Sequence, residues 1–260
     1  MVDNDRTASF SAGNGRIGVL LCHGFTGSPA SMRDWAEDLA DAGYRVSLPR
    51  LPGHGTVWQE MALTSWQDWY DRVDAEYRAL SSECDRVFVA GLSMGGALAL
   101  RLAEQHPDVA GLMLVNPAIL HKSWKQSLVG VLKHFVKAVE GIGNDIAREG
   151  VDEGSYDWTP VASVHQMHKL WSDVRSCLDL VTCPLILFQS LSDHVVPGAS
   201  SEAILRNVSS TDVTHHLLEN SYHVATLDYD RHLIFDESRK FIERILDSLE
   251  EDVPPRRAAF

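Results

Sequence analysis

The chain has 260 residues, 45% of them hydrophobic and 23% charged, and its 23 basic and 36 acidic side chains give a formal net charge of −13. That composition excludes a wholly disordered or fibrous protein, and the length allows one or two domains around a sizeable core. A polyanion of this size is repelled by phosphate backbones, which argues against a nucleic-acid partner, and no stretch nears the roughly 18–20 consecutive apolar residues that span a bilayer.

In chain order, the opening MVDNDRTASFSAG lacks the basic start and apolar run of a secretory signal. The four cysteines, Cys22, Cys84, Cys177 and Cys183, form no C-x-x-C pair, so neither a disulfide framework nor a zinc site is signalled and a cytoplasmic location is expected. Ile17–Leu21, Arg45–Leu48, Val87–Ala90, Gly111–Val115 and Leu185–Phe188 are short, near-continuous apolar runs, the pattern of strands covered on both faces. Between them, Met32–Ala42 places Met32, Trp35, Ala36, Leu39 and Ala40 at helical spacing and stops at Gly43. Helical patterns recur over Trp66–Leu80 and over Gly95–Glu104, the latter halted before Pro107. Strand–helix alternation implies right-handed crossovers and a mostly parallel sheet, so the fold class is α/β.

One interval breaks this rhythm. Gly111–Val115 and Leu185–Phe188 should be sheet neighbours, yet no strand candidate lies from Ile119 to about Thr182. Roughly 60 residues is too long for an ordinary connection, and the interval is read as an inserted helical cap. The expected division is a core of residues 1–118 and 183–250, a helical cap or lid at 119–182, and a flexible tail at 251–260. Leu128, Val131, Leu132, Phe135, Val136 and Val139 make the apolar stripe of the first cap helix, and Phe241, Ile245 and Leu249 mark the last helix of the chain. No internal repeat is present.

The chemistry concentrates around Gly91-Leu92-Ser93-Met94-Gly95, a G-x-S-x-G nucleophile elbow. A very tight strand-to-helix turn holds the serine Oγ up into a cleft, and flanking glycines leave room where a Cβ would collide. The strand run Arg86–Ala90 leads in and the small-residue helix Gly96–Leu100 leads out. A serine hydroxyl needs a base, and the template places an acid and then a histidine after the serine. Asp193 follows the run Leu185–Gln189, at the strand end where such a sheet presents its site, and His223 follows the short strand candidate Val213–Leu218. His194, His215 and His216 compete for the base. Asp228 competes for the acid but also reads as a local turn or cap partner. His165 and His168 have H-x-x-H spacing without a third ligand and are read as cap surface, with no metal. For the oxyanion, one donor is the backbone N–H of Met94; the other is that of Phe25, in the loop His23-Gly24-Phe25-Thr26-Gly27. His23, and His54 in the turn Pro52-Gly53-His54-Gly55, are read as loop-shaping residues.

On these residues the chain resembles the α/β-hydrolases, and within them the small bacterial carboxylesterases and monoacylglycerol lipases with a helical cap. The matching stretches are Val19–Ser28, Pro52–Gly55, Ala90–Gly96, Asp173–Leu180, Gln189–Pro197 and Ser221–Asp228. The resemblance implies an α/β-hydrolase fold, no cofactor, a nucleophile at Ser93, an acid at Asp193, a base at His223 and oxyanion donors at Phe25 and Met94. The implied activity is ester hydrolysis of monoacylglycerols or similar medium-chain esters. An acyltransferase, thioesterase or peptidase with the same triad, or a non-catalytic ligand-binding protein on this fold, are the alternatives. The cap sequence diverges, so substrate size does not transfer.

Within the cap, Trp124, Trp158, Met167, Leu170 and Trp171 are candidates for acyl-pocket lining, with buried filler as the other reading; Phe25, Met94, Trp124 and Leu170 are the expected substrate contacts. Four of the six lysines, Lys122, Lys125, Lys133 and Lys137, stand at the start of the cap. A basic amphipathic helix there would give a transient lipid-surface contact; a core-facing stripe with a solvated polar face is the other reading. The expected partner is therefore a small-molecule ester or lipid.

Overall fold

The computed structural model describes residues 5–120, 136–141 and 143–251. Its first strands are β1 (Phe10–Ala12), β2 (Ile17–Cys22), β3 (Arg45–Leu48), β4 (Arg86–Leu92) and β5 (Gly111–Val115). Two short ones, β6 (Ala138–Glu140) and β7 (Trp158–Pro160), precede β8 (Leu185–Ser190) and β9 (Val213–Leu218). The α-helices are α1 (Arg33–Asp41), α2 (Trp58–Met61), α3 (Trp66–Glu83), α4 (Met94–Gln105), α5 (Val161–Arg175), α6 (Ala199–Asn207) and α7 (Arg231–Glu251).

Seven strands form one sheet in the order β1-β3-β2-β4-β5-β8-β9, and every pairing in it is parallel except that of β1 with β3. The expected neighbours β5 and β8 do pair, from Leu112 opposite Leu185 to Val115 opposite Phe188. Alternate residues of each strand point to opposite faces. Thus Leu20, Val89, Leu114 and Leu187 join the core beneath α3, α4 and α5, while Val19, Phe88, Met113 and Ile186 join the core beneath α1 and α7. Burial on both faces is why these strands are apolar throughout. On the second face Trp35 of α1 stacks on Phe235 of α7 with centroids 6.4 Å apart. A capping box starts α3: Asp68 donates its N–H to Ser65 Oγ at 3.3 Å, and its carboxylate accepts the Ser65 N–H at 2.7 Å.

The interval between β5 and β8 departs from the expectation in two ways. It holds a strand pair: β6 and β7 run antiparallel, with Val139 opposite Thr159. Val139 therefore belongs to a strand and not to the expected first cap helix, because its backbone pairs with β7. The rest of that stripe from Leu128 to Phe135, with Trp124 and Lys122, Lys125 and Lys133, lies outside the described residues, as do residues 252–260 of the expected tail; residue 251 ends α7.

The interval is tied down at several points. Ile119 and Leu120 donate their N–H groups to Ser200 Oγ of α6 at 3.2 and 3.1 Å, and the Arg175 guanidinium donates to Ile119 O. Arg101 of α4 meets Asp173 of α5 at 2.9 Å and Glu104 at 3.1 Å. Burial pushes the Glu104 carboxyl up to about 7 despite the facing Arg101. Among the described residues no helix is long and apolar enough to cross a membrane.

Candidate active site

The turn between β4 and α4 is as tight as the elbow motif requires. Ser93 has φ +57° and ψ −119°, a conformation that costs on the order of 1–3 kcal/mol in a non-glycine residue. Its main chain is clamped: its N–H donates to Val115 O at 3.0 Å, and its carbonyl accepts from Gly96 N at 2.9 Å and Ala118 N at 3.0 Å. A Cβ on Gly91 would lie 2.4 Å from Gly95 O, and one on Gly95 would lie 1.9 Å from Cys22 O. Only glycine lets the start of α4 cross so close to the end of β2. Ser93 occupies the N-cap of α4, yet its hydroxyl makes no capping bond, although a serine there ordinarily accepts from the first turn. The hydroxyl instead lines a cavity.

Asp193 and His223 come together at the ends of β8 and β9. His223 Nδ1 lies 2.8 Å from Asp193 Oδ2, and both side chains are buried. The other carboxylate oxygen, Oδ1, accepts the Val195 and Val196 N–H groups at 2.8 and 2.7 Å. The pairing puts the imidazole proton on Nδ1 and leaves Nε2 as the basic nitrogen. Asn116, at the end of β5 with φ +44°, supports this loop from the sheet. Its Nδ2 donates to His223 O at 2.8 Å and Ser190 Oγ at 2.9 Å, and its Oδ1 accepts from Ser190 N at 2.8 Å.

Ser93 and His223 line one cavity together with Gly24, Phe25, Thr26, Leu92, Glu153, Thr159, Val195, Val196 and Val224. One stripe of α5 closes it: Val164, Met167, His168 and Trp171, at i, i+3, i+4 and i+7. Of the expected lining residues, Phe25, Met167 and Trp171 therefore reach the cavity. Leu170 does not. It sits roughly 110° around the helix from that stripe and packs fully buried in the core against α4. Trp158 is 52% exposed and lies outside this cavity, and the Met94 side chain is buried in the core, so its expected contact would be through the backbone. Met94 opens α4, where a helix leaves its first N–H groups without intrahelical partners. His168, expected as cap surface, is a cavity-lining residue whose ring lies 5.2 Å from that of Trp171, tilted by 30°.

The competing residues are occupied elsewhere. Asp228 is fully buried and accepts backbone N–H groups from Ala147, Arg148, Tyr222 and Tyr229 at 2.7–2.9 Å. It is more than a local cap, since two of those donors come from the β6–β7 loop. His194 lies 2.8 Å from Asp145 Oδ1, His215 3.2 Å from Gln189 Oε1, and His216 stacks on Phe188. His23 Nε2 accepts the Leu51 N–H at 3.1 Å while Nδ1 donates to Gly24 O at 3.0 Å. Burial lowers it to about 4, and His54, held at 3.0 Å from Pro52 O, to about 3. Both are neutral loop-shaping residues. Among the described residues no three His, Cys, Asp or Glu side chains are placed to hold a metal ion.

The β6–β7 loop supplies residues that no motif marked. Asn144 N donates to Glu153 Oε1 at 2.7 Å and Glu153 N to Asn144 Oδ1 at 2.9 Å, which folds the loop on itself. Burial raises the Glu153 carboxyl above the usual carboxylate range. Tyr156 N donates to Thr26 O at 3.2 Å, and its hydroxyl donates to Gly53 O at 2.8 Å. The loop thus forms a wall between the Phe25 turn and the His223 turn. Polar residues among glycines, Asn144 beside Gly143 and Glu153 beside Gly154, were the only signal available in the sequence, and such signals are common.

The serine aminopeptidase S33 family model matches residues 14–230. The chain is 43% identical to a thermostable monoacylglycerol lipase of Bacillus sp. (strain H-257) over 235 residues, 90% of this chain and 94% of the relative. It is 30% identical to a carboxylesterase of Bacillus subtilis (strain 168), covering 91% of this chain and 96% of the relative. Among solved structures, one from work on LipS and LipT, two metagenome-derived lipolytic enzymes, superposes with a TM-score of 0.90 at 42% identity. It covers 92% of this chain and 98% of the other.

Proposed function

Because this chain belongs to the serine aminopeptidase S33 family of α/β-hydrolases, we propose that it hydrolyses carboxylic esters through Ser93, His223 and Asp193, with monoacylglycerols as the preferred class. The observation that carries the reading is the shared cavity: a strained serine whose hydroxyl caps nothing, and a histidine paired with a buried carboxylate, face one largely apolar space. In the proposed reaction His223 Nε2 takes the Ser93 proton as Oγ attacks the ester carbonyl, then gives it to the leaving alcohol. Asp193 holds the ring and stabilises the imidazolium, while the Phe25 and Met94 N–H groups receive the developing oxyanion. Water then attacks the acyl-enzyme and releases the acid.

The cavity is suited to both halves of a monoacylglycerol. Met167, Trp171, Val164 and Leu120 offer an apolar wall to an acyl chain, and Glu153 places a carboxyl where alcohol hydroxyls can hydrogen-bond. Residues 119–182 act in this proposal as a cap that supplies both. A panel of glyceryl monoesters, matched methyl esters, thioesters and peptide amides tests it. Glyceryl monoesters are expected to give the highest kcat/KM, and Glu153→Gln to raise KM up to about tenfold for them while leaving methyl esters unchanged, because the amide oxygen stays on the Asn144 N–H and an NH₂ replaces the oxygen that would accept an alcohol hydroxyl. Preference for peptide amides would replace this reading with the peptidase suggested by the family's description.

Two finer points complete it. The four cysteines are all free, which supports a reducing, cytoplasmic setting. The lysines at 122, 125, 133 and 137, of which the described Lys137 is exposed, supply a contact to anionic lipid surfaces. Neutralising all four is expected to lower partitioning onto anionic vesicles at low salt; unchanged partitioning removes that contact.

A further inference from the structure

We propose that Asp145, in the β6–β7 loop, is a positioning residue for the base, acting on His223 through its backbone; the proposal rests on the reading of His223 as general base. Asp145 makes two separate connections to that turn. Its Oδ2 accepts the His223 N–H at 3.1 Å, and its own carbonyl accepts the next amide, Val224 N, at 3.1 Å. The same Oδ2 accepts the His194 N–H at 3.1 Å, and Oδ1 meets His194 Nδ1 at 2.8 Å.

His194 follows Asp193 directly, so the two histidine–carboxylate pairs are crossed. Asp193 holds the His223 ring, while Asp145 holds the His194 ring and the His223 main chain. One carboxylate oxygen thereby sets the distance between the turn that carries the acid and the turn that carries the base. Its side chain is only 15% exposed, where hydrogen bonds to an ionised acceptor are strong and directional. Asn116 already anchors the His223 carbonyl from the sheet side. Asp145 supplies the opposite anchor, on the N–H, and it comes from the insertion rather than the sheet. The base is thus held between the core and the loop that also carries Glu153 into the cavity wall.

A displaced imidazole fails in a specific way. Both acylation and deacylation pass a proton through His223, so both slow together while substrate affinity stays nearly constant. Asparagine can keep an oxygen on the two backbone N–H groups; glutamate keeps the charge but carries it one methylene too far.

The test measures kcat and KM on a soluble p-nitrophenyl ester, the second-order rate of fluorophosphonate labelling, and the melting temperature. The proteins are the full chain and its Asp145→Ala, Asp145→Asn, Asp145→Glu and His194→Ala variants, with Ser93→Ala as baseline. Asp145→Ala and Asp145→Glu are expected to lower kcat and labelling together by roughly 10- to 100-fold, the scale of an ångström-sized misplacement, with KM within about threefold. Asp145→Asn is expected to recover most of the activity, and His194→Ala to cost less than about fivefold, because the backbone contact to His223 survives it. Full activity in folded Asp145→Ala or Asp145→Glu, a loss confined to KM, or a loss that asparagine does not rescue overturns the proposal. If Asp145→Ala does not fold, the Asn and Glu variants decide alone. Those results with an inactive Ser93→Ala leave the hydrolase reading standing; turnover retained by Ser93→Ala removes that reading instead.

Discussion

Ser93→Ala is expected to lower kcat on a glyceryl monoester by about 10⁶ while KM changes little. The size follows from what the site loses. On the proposed mechanism there is no acyl-enzyme without Oγ and His223 has no proton to take, so the three groups fail as a unit rather than in part. The same proposal leaves oxyanion stabilisation at the start of α4 and binding in the cavity, neither of which depends on the hydroxyl. The substitution should also leave the fold intact, and for a structural reason. The Ser93 side chain makes no capping bond, and its clamps to Val115, Gly96 and Ala118 are all main-chain. Alanine meets the same steric demand at φ +57° as serine, since both carry a Cβ. The measurements are steady-state turnover and the mass of the fluorophosphonate adduct. Retained turnover, or an adduct on the alanine variant, would exclude Ser93 as nucleophile.

Asp193→Asn is expected to cost about 10⁴ in kcat, with KM nearly unchanged. Charge loss is only part of the reason. Oδ1 of Asp193 accepts two backbone N–H groups, from Val195 and Val196, so an asparagine must place its oxygen there. Its NH₂ group then faces His223 Nδ1 at the position where Oδ2 stood 2.8 Å away. A donor at that point favours the imidazole tautomer protonated on Nε2, which cannot accept the serine proton. The check is kcat with the fluorophosphonate labelling rate: both should fall by the same factor, because the defect lies in the base. A loss below about tenfold would mean that Asp193 does not orient His223. Asp228 would not be the replacement, since its carboxylate is already engaged by four backbone donors.

How far the sequence could be read depended on the range of the interactions concerned. The five apolar runs expected as strands all lie in the sheet, with ends extended by up to two residues, as at β4 and β8. Burial on both faces writes itself into every residue of such a strand. β1 was not foreseen, because three half-exposed edge residues leave no comparable trace. The β6–β7 pair was missed for a related reason: Ala138–Glu140 and Trp158–Pro160 are too short for a periodic signal and are defined by their pairing. Leu170 shows the limit at a single residue. Its apolar character and helical spacing were plain, but which side of α5 faces the cavity depends on how that helix docks on α4.

By itself the sequence determined the α/β class and the tight strand-to-helix turn at Ser93, because each depends on local backbone geometry or on period. Only the tertiary structure decided which partner each carboxylate takes. Asp145, Asp193, Asp228 and Glu153 are all simply carboxylates in the sequence, and folding gives each its own partners: a ring and two amides for Asp145 and, from other residues, for Asp193, four amides for Asp228, and the Asn144 N–H at the cavity wall for Glu153. Those donors come from segments up to 81 residues away along the chain. Hydrogen-bond direction, unlike hydrophobic periodicity, leaves no repeating mark on the chain that carries it.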